Sequence, residues 1–172
     1  MASRIPSRHE GVSVKRILHS RDLNQLYAFL AKKHKSIVLV GGCFDIIHIG
    51  HIKFLQEAKK HADVLVVLLE SDEKVQKLKG KNRPLFKVEE RAEVLSSLKP
   101  IDYVVILPMT KSDSDYEKLI LQIHPSVIAV TEHDPLIVKK RSHAIRVGAK
   151  LVIIPHINTH STSSLAQMLG IN

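Results

Sequence analysis

Unbroken apolar runs alternate with amphipathic stretches along the whole chain. Residues 37–40 (Ile-Val-Leu-Val) and Val64 to Leu69 have strand length, and shorter runs recur at Tyr103 to Leu107, Val127 to Val130 and Leu151 to Ile154, each bounded by breakers or polar residues. Between them the apolar positions fall at helical spacing. Leu23, Leu26, Tyr27 and Leu30 mark a helix over about Asp22 to Lys33, and Ile52, Phe54 and Leu55 begin another. Further helical patterns run through Val88, Ala92, Leu95 and Leu98, through Tyr116, Leu119, Ile120 and Ile123, and from Leu136 to Val147, where Gly148 supplies a C-cap. Apolar strands alternating with helices predict an α/β fold with a parallel five-stranded sheet and helices on both faces. No internal repeat interrupts this order. Residues 1–15 are expected to form a mobile N-terminal tail and residues 16–172 a single domain.

In such sheets ligands bind beyond the carboxyl ends of the strands, where the strand order reverses. Three polar segments follow strands and can meet there: Gly41 to His51, Glu70 to Pro84, and Ile154 to Ser164, the last leading into a closing helix around Leu165 to Leu169. The first carries the most chemistry. Gly41 and Gly42 permit a turn with close backbone approach, and His48 and His51 at spacing i, i+3 share one face of the first turn of the helix that follows. Free backbone N–H groups and the positive dipole end favour phosphate at a helix N-terminus, and imidazole donors add to it. In-line transfer of a nucleotidyl group needs this kind of positioning and charge stabilisation, with no covalent intermediate. Gly50 would let the ligand lie against backbone, and Asp45 would orient a histidine or a Mg²⁺-bound water.

Plainer readings compete. His48, His51 and Asp45 are all possible metal ligands, yet the spacing is not the i, i+4 pair of the metalloprotease helix and no glutamate lies between the histidines. Two of eleven histidines near a helix start can also be merely buried and hydrogen-bonded, and on spacing alone the functional and structural readings stand even. Cys43 reads as a packing residue at a strand end in preference to a nucleophile. Lys77, Lys79, Lys81 and Arg83 form one polar stretch, a solvated face from which one or two reach ligand. Arg91, among Glu89, Glu90 and Glu93, reads as a helix-surface ion pair, and Ser161 to Ser164 as an N-cap cluster or a second phosphate cradle.

Charge and composition narrow the partners. The formal net charge of +9 suits a polyanion. Aromatic residues make up only 4% with no Trp, and basic residues are spread along the chain, so a nucleic-acid binder is disfavoured. No apolar run approaches the roughly 20 residues of a membrane helix. One cysteine cannot form an internal disulfide, and the first 16 residues lack an apolar signal core, which fits a cytoplasmic protein.

The stretch Gly42-Cys43-Phe44-Asp45-Ile46-Ile47-His48-Ile49-Gly50-His51 resembles the G-x-F-D-x-x-H-x-G-H signature of the cytidylyltransferase-like nucleotidyltransferases. The likeness continues through Ile52 to Lys59, Ser71-Asp72, Leu78-Lys79-Gly80, Arg83-Pro84, Glu90 to Leu95 and Val104-Val105, and Ser161-Thr162-Ser163 stands in the place of the S-T-T or S-S-S motif. The resemblance implies a Rossmann-like sheet and Mg²⁺-dependent transfer of a nucleoside monophosphate to a phosphorylated acceptor. It further implies that His48 and His51 act at the reacting phosphates, that Lys53 lies near the site entrance, that Arg91 supports nucleotide or acceptor binding, and that Thr162 and Ser163 contact phosphate. Gly42, Cys43, Phe44, Asp45, Gly50, Thr131, Asp134 and Ser161 complete the expected nucleotide site, with Lys79 and Arg83 as phosphate or acceptor contacts. Within the family the chain is most similar to the heptose 1-phosphate adenylyltransferase domain, through its preceding helix, Leu78-Lys79-Gly80 and Arg83-Pro84. His156 stands where glycerol-3-phosphate cytidylyltransferases carry an arginine, and Thr131-Glu132-His133-Asp134-Pro135 replaces a glycine-containing acidic segment. ATP is the favoured nucleotide, ahead of CTP, and a sugar 1-phosphate the favoured acceptor, ahead of glycerol 3-phosphate or FMN. A homodimer is implied as well. A nucleotide-binding regulatory module without turnover is the alternative from another class.

Overall fold

The computed structural model describes residues 16–110 and 112–155, with Ser164, Gln167, Met168 and Gly170 beyond them. The expected tail over 1–15, the Ser161-Thr162-Ser163 motif, His156 and most of the expected closing helix lie outside the described residues. In chain order the elements are β1 (Ile17–His19), α1 (Leu23–Lys32), β2 (Ile37–Gly42), α2 (Ile49–Lys59), β3 (Val64–Leu69), α3 (Asp72–Lys79), α4 (Val88–Ser97), β4 (Tyr103–Ile106), α5 (Asp113–Ile123), β5 (Val127–Thr131), α6 (Ile137–Val147) and β6 (Lys150–Ile154). The strands form one sheet of order β1-β4-β3-β2-β5-β6 in which every pairing is parallel.

The sheet has one strand more than the five read from the sequence. β1 is only three residues long, too short to carry a periodic signal, and it pairs along the edge of β4 from Ile17 opposite Val104 to His19 opposite Ile106. Arg16 fastens its start by donating to the carbonyl of Ile101. α3 is the second element absent from the sequence reading, which took Glu70 to Pro84 as a polar connection. This helix buries only Val75, so no apolar stripe marks it. Its signals are local instead: Ser71 caps Lys74 N–H, Asp72 and Glu73 occupy the first turn, Lys77 and Lys79 the last, and Gly80 follows at φ +109°.

Every residue of β3 is buried, as expected of a strand covered on both faces. Leu39, Val66, Leu68, Val105 and Val130 pack against Leu23, Leu26 and Leu30 of α1, Ile120 and Ile123 of α5 and Ala144 of α6. On the opposite face Val38, Val40, Leu65, Val67 and Leu69 pack against Leu55 and Ala58 of α2 and Ala92 and Leu95 of α4. The chain runs from β2 to β3 and β4 on one side, whereas β5 lies on the other side of β2. The strand order therefore reverses between β2 and β5, and the carboxyl ends of these two strands frame the place where this architecture binds ligands. At the opposite edge Asp102 accepts from Leu65 N–H at 2.8 Å and from Lys59 at 2.5 Å, and Asp63 accepts from Ser36 N–H at 2.9 Å, so the strand starts are tied among themselves.

One buried cation organises the carboxyl edge. The Arg91 side chain is wholly inaccessible and donates to four segments: from Nε to Phe86 O at 3.1 Å, from one terminal nitrogen to Cys43 O at 2.5 Å, and from the other to Glu70 O at 2.9 Å and Asp72 Oδ1 at 2.7 Å. The expected surface pairing with Glu89, Glu90 and Glu93 is thereby corrected, because Arg91 lies on the same inward face of α4 as Ala92 and Leu95. Arg91→Ala is expected to lower the unfolding free energy by about 3 kcal/mol or more, since it strands several buried acceptors at once. Arg91→Lys should recover less than half of the loss, lacking the planar fork. Urea unfolding measures both, and a loss under about 1 kcal/mol for Arg91→Ala would contradict this role.

Candidate active site

Beyond Gly42 the chain leaves β2, turns, and enters α2 with His48 as its N-cap in extended conformation (φ −137°, ψ 172°). Among the described residues no side chain caps α2, and no acidic residue sits in its first turn, so its N-terminal amides and dipole favour an anion there. His48 and His51 lie one turn apart with ring centroids 3.9 Å from each other and an interplanar angle of 34°. Phe44 packs against His51 at 5.2 Å. The two histidines singled out from the sequence thus form a stacked pair at a helix mouth, beside the strand-order reversal.

Glycine is required in the turn for reasons of space. A Cβ on Gly42 would lie 2.9 Å from the Phe44 ring, and one on Gly41 would collide with the Tyr116 hydroxyl from α5. Phe44 itself adopts φ +45°, a left-handed conformation that turns its ring back over Gly42 beneath His51. Gly50 lies within the first turn of α2.

Burial sets the charge state of this site. His51 is pushed down to about 4, chiefly by desolvation and next by His48, with the Ile46 backbone offsetting part of the shift. Both the desolvated surroundings and the neighbouring ring therefore favour a neutral His51. Burial also raises the Cys43 thiol, with Glu70 adding to the effect, which supports the packing reading of Cys43 over a nucleophilic one.

Several expected site residues occupy other roles. Asp45 does not point toward the histidines: its Oδ2 accepts from Arg83 Nε at 2.6 Å, and its Oδ1 accepts from Leu85 and Phe86 N–H at 2.9 and 3.3 Å. The pair is almost inaccessible, at 1% and 5% side-chain exposure for Asp45 and Arg83. Asp45 as an orienter of histidine or of metal-bound water, and Arg83 as a phosphate contact, are both corrected by this lock, which fastens residues 83–86 to the strand end. Arg91 likewise lies beneath the loop, where it shapes the site from below. Asp134, expected at the nucleotide, accepts from Leu136 N–H at 2.8 Å and from Lys140 at 2.7 Å and so braces the start of α6, while Thr131 ends β5 at the reversal point. Lys53 is exposed on α2, and Lys79 is exposed at the end of α3 within electrostatic reach of Cys43. Among the described residues no three His, Cys, Asp or Glu side chains converge as a metal cage.

Glu70, Lys74, Tyr116 and Lys140, which also stand at this edge, were not singled out as site residues from the sequence. Glu70 had one available signal, a charged residue directly after six buried aliphatic positions. Tyr116 reads as one more apolar position of α5, and nothing in sequence places it over Gly41.

A parallel α/β sheet with a glycine turn and paired imidazoles at a helix mouth, all beside the strand-order reversal, defines a nucleotide-binding protein of the kind that handles phosphoanhydrides. The family model for cytidylyltransferase-like proteins matches residues 39–166, and the chain belongs to that family of nucleotidyltransferases. It is 42% identical over 122 residues to the bifunctional protein HldE of Aliarcobacter butzleri, covering 71% of this chain and 25% of that protein. With HldE of Wolinella succinogenes the identity is 41% over 128 residues, 74% of this chain and 26% of that one. The chain thus spans about a quarter of the length of these curated relatives. Among solved structures, the lipopolysaccharide core biosynthesis protein of Thermoplasma volcanium aligns with a TM-score of 0.59 and 27% identity over 73% of this chain and 99% of its own. Pantoate-β-alanine ligase of Francisella tularensis shares the fold, with a TM-score of 0.62 at 16% identity over 85% of this chain and 69% of its own.

The depressed His51 has a measurable consequence. The unfolded chain, with an ordinary histidine near 6.5, binds a proton that the folded protein resists until about 4, so stability is lost as pH falls through this window. The loss attributable to His51 is expected to reach about 3 kcal/mol by pH 4. Urea midpoints at pH 7, 5.5 and 4 should fall more steeply for the wild type than for His51→Gln. Parallel slopes would contradict a desolvated neutral ring.

Proposed function

We propose that the chain transfers AMP from ATP to a small phosphorylated sugar, heptose 1-phosphate being the favoured acceptor, with release of pyrophosphate. The observation that carries this reading is the stacked His48 and His51 pair at the mouth of α2. The resemblance of the Gly42 to His51 motif to heptose 1-phosphate adenylyltransferase domains supports the acceptor class. So does the likeness, at 27% identity, to a protein of lipopolysaccharide core biosynthesis.

In this reading an acceptor phosphate oxygen attacks the α-phosphorus in line. The new P–O bond forms as the bond to the bridging oxygen breaks, and pyrophosphate leaves with the electron pair. Imidazole N–H groups of His48 and His51 and the first amides of α2 donate to the oxygens on which charge builds, in a setting where desolvation strengthens each contact. Lys53 and Lys79 stand at the rim for the outer phosphates, and Ser161, Thr162 and Ser163 are assigned to phosphate by the motif. Mg²⁺ would be held by the triphosphate oxygens and would offset their charge; Asp45, locked to Arg83, is not suited to ligate it. The assignment covers residues 16–172 as one domain acting as a homodimer in the cytoplasm. No described helix is long and apolar enough to cross a membrane.

One observation favours a second reading. Asp134, the acid of the altered Thr131 to Pro135 segment, is engaged by Leu136 and Lys140, which suits a regulatory module that binds nucleotide without turning it over. Pyrophosphate release with each of the four nucleoside triphosphates against heptose 1-phosphate, glycerol 3-phosphate and FMN separates the two. Adenylyl transfer predicts turnover with ATP and the sugar phosphate, and a drop in kcat of about 10²-fold or more in His51→Ala, as for loss of one preorganised donor. Tight ATP binding with no turnover on any acceptor would establish the regulatory reading instead.

A further inference from the structure

Beside the glycine turn, on the α5 and α6 side of the sheet edge, lies a cluster of polar side chains with no part in the transfer step. Glu70 follows the last residue of β3, its backbone N–H bonded to Gly42 O at 3.1 Å, so it adjoins the glycine turn directly. Leu69 faces α2 and α4, so the alternation of the strand sends Glu70 to the α5 side, where Tyr116 extends its hydroxyl over Gly41. Glu70 and Asp134 both act electrostatically on Tyr116, and Lys74 and Lys140 act on Glu70. The Tyr116 ring is flanked by His143 at 5.9 Å, and Lys74 reaches the carbonyl of Thr110 at 3.5 Å.

Within this cluster two buried atoms, Glu70 Oε2 and His143 Nδ1, are left without a hydrogen-bond partner. Glu70 Oε2 is buried and accepts no bond, although buried carboxylate oxygens are costly unless paired. Two of the surrounding cations are already paired, Lys140 with Asp134 at 2.7 Å and Arg91 with Asp72 at 2.7 Å, while Lys74 donates to the Thr110 carbonyl and acts on Glu70 through its charge. A phosphate brought here would meet the Glu70 carboxylate, and a cation would meet Lys74 and Lys140. A neutral donor suits both, and a carboxylate beside a phenol is a chemistry that recognises sugar hydroxyls.

We propose that Glu70, with Tyr116 beside it, forms a polyol-recognition subsite that reads the hydroxyl groups of the acceptor while its phosphate lies at His48 and His51. Glu70 is then a specificity-determining residue, one that selects a phosphorylated polyol over a phosphate ester lacking hydroxyls. This deepens the transfer reading of the preceding subsection and rests on it for the position of the acceptor phosphate.

The test pairs kinetics with direct binding on the full chain. With ATP saturating, Glu70→Ala should raise the KM for heptose 1-phosphate by about 10- to 100-fold, as expected for lost hydrogen bonds to a charged group, and leave the KM for ATP within about twofold. Monodeoxy analogues of the sugar phosphate should bind the wild type more weakly than the parent. One of them should carry no such penalty in Glu70→Ala, measured by calorimetry with a non-hydrolysable ATP analogue. Glu70→Gln should melt at or above the wild-type temperature, because it removes a desolvated charge; clear destabilisation would assign Glu70 a structural role and overturn the subsite. Equal deoxy penalties in wild type and Glu70→Ala, or no binding of the sugar phosphate to the wild type, would overturn it as well. Binding that depends on Glu70 without any pyrophosphate release would leave the subsite standing and remove the transfer reading. Turnover unaffected by Glu70→Ala would do the reverse.

Discussion

A single guanidinium holds the working edge of this sheet together. Arg91 reaches from α4 into the interior and binds the carbonyls of Cys43, Glu70 and Phe86 and the carboxylate of Asp72. These four points belong to the turn after β2, the end of β3, the start of α3 and the loop before α4. Only a planar group with five donors can serve so many acceptors from one position. Asp45 and Arg83 add a second lock between the turn and the same loop. These contacts fix the turn from below and so set where the stacked His48 and His51 rings stand at the mouth of α2.

The electrostatics of the edge follow from the same burial. Desolvation lowers His51 and raises Cys43 and Glu70, so three groups of different chemistry are each driven toward the neutral form. A site of this kind resists charge until a strong counter-charge enters. A triphosphate supplies one for His51 and favours its protonation as negative charge accumulates. The formal net charge of +9 acts at longer range, favouring the approach of polyanions in general.

The parts of this arrangement legible in the sequence are those with a local signature. Val64 to Leu69 appears as β3 with the expected limits, and Gly148 ends α6 at φ +70° as a C-cap. His48, Gly50 and His51 were identifiable from spacing and from the family motif. What escaped were roles created by long-range contact. Arg91 lies among three glutamates in sequence, and only the packing of α4 on the sheet turns it inward. Asp45 and Arg83 are 38 residues apart, and no pattern announces their pairing. Glu70 follows β3 and Tyr116 lies on α5, and they come within electrostatic reach because both stand at the carboxyl edge. α3 and β1 were missed for a different reason: one buries a single side chain and the other has three residues, so neither has the apolar period on which the reading relied.

The central claim is that a desolvated, neutral His51 stacked on His48 at the mouth of α2 takes the reacting phosphate of a nucleotide. Nitrogen NMR of histidine-labelled protein, titrated from pH 8 to 4 with and without a non-hydrolysable ATP analogue, addresses it most directly. The account predicts that His51 stays neutral until about pH 4 in the free protein and titrates at least one unit higher when the analogue is bound. A His51 that titrates near 6.5 in the free protein and does not respond to the analogue would contradict it.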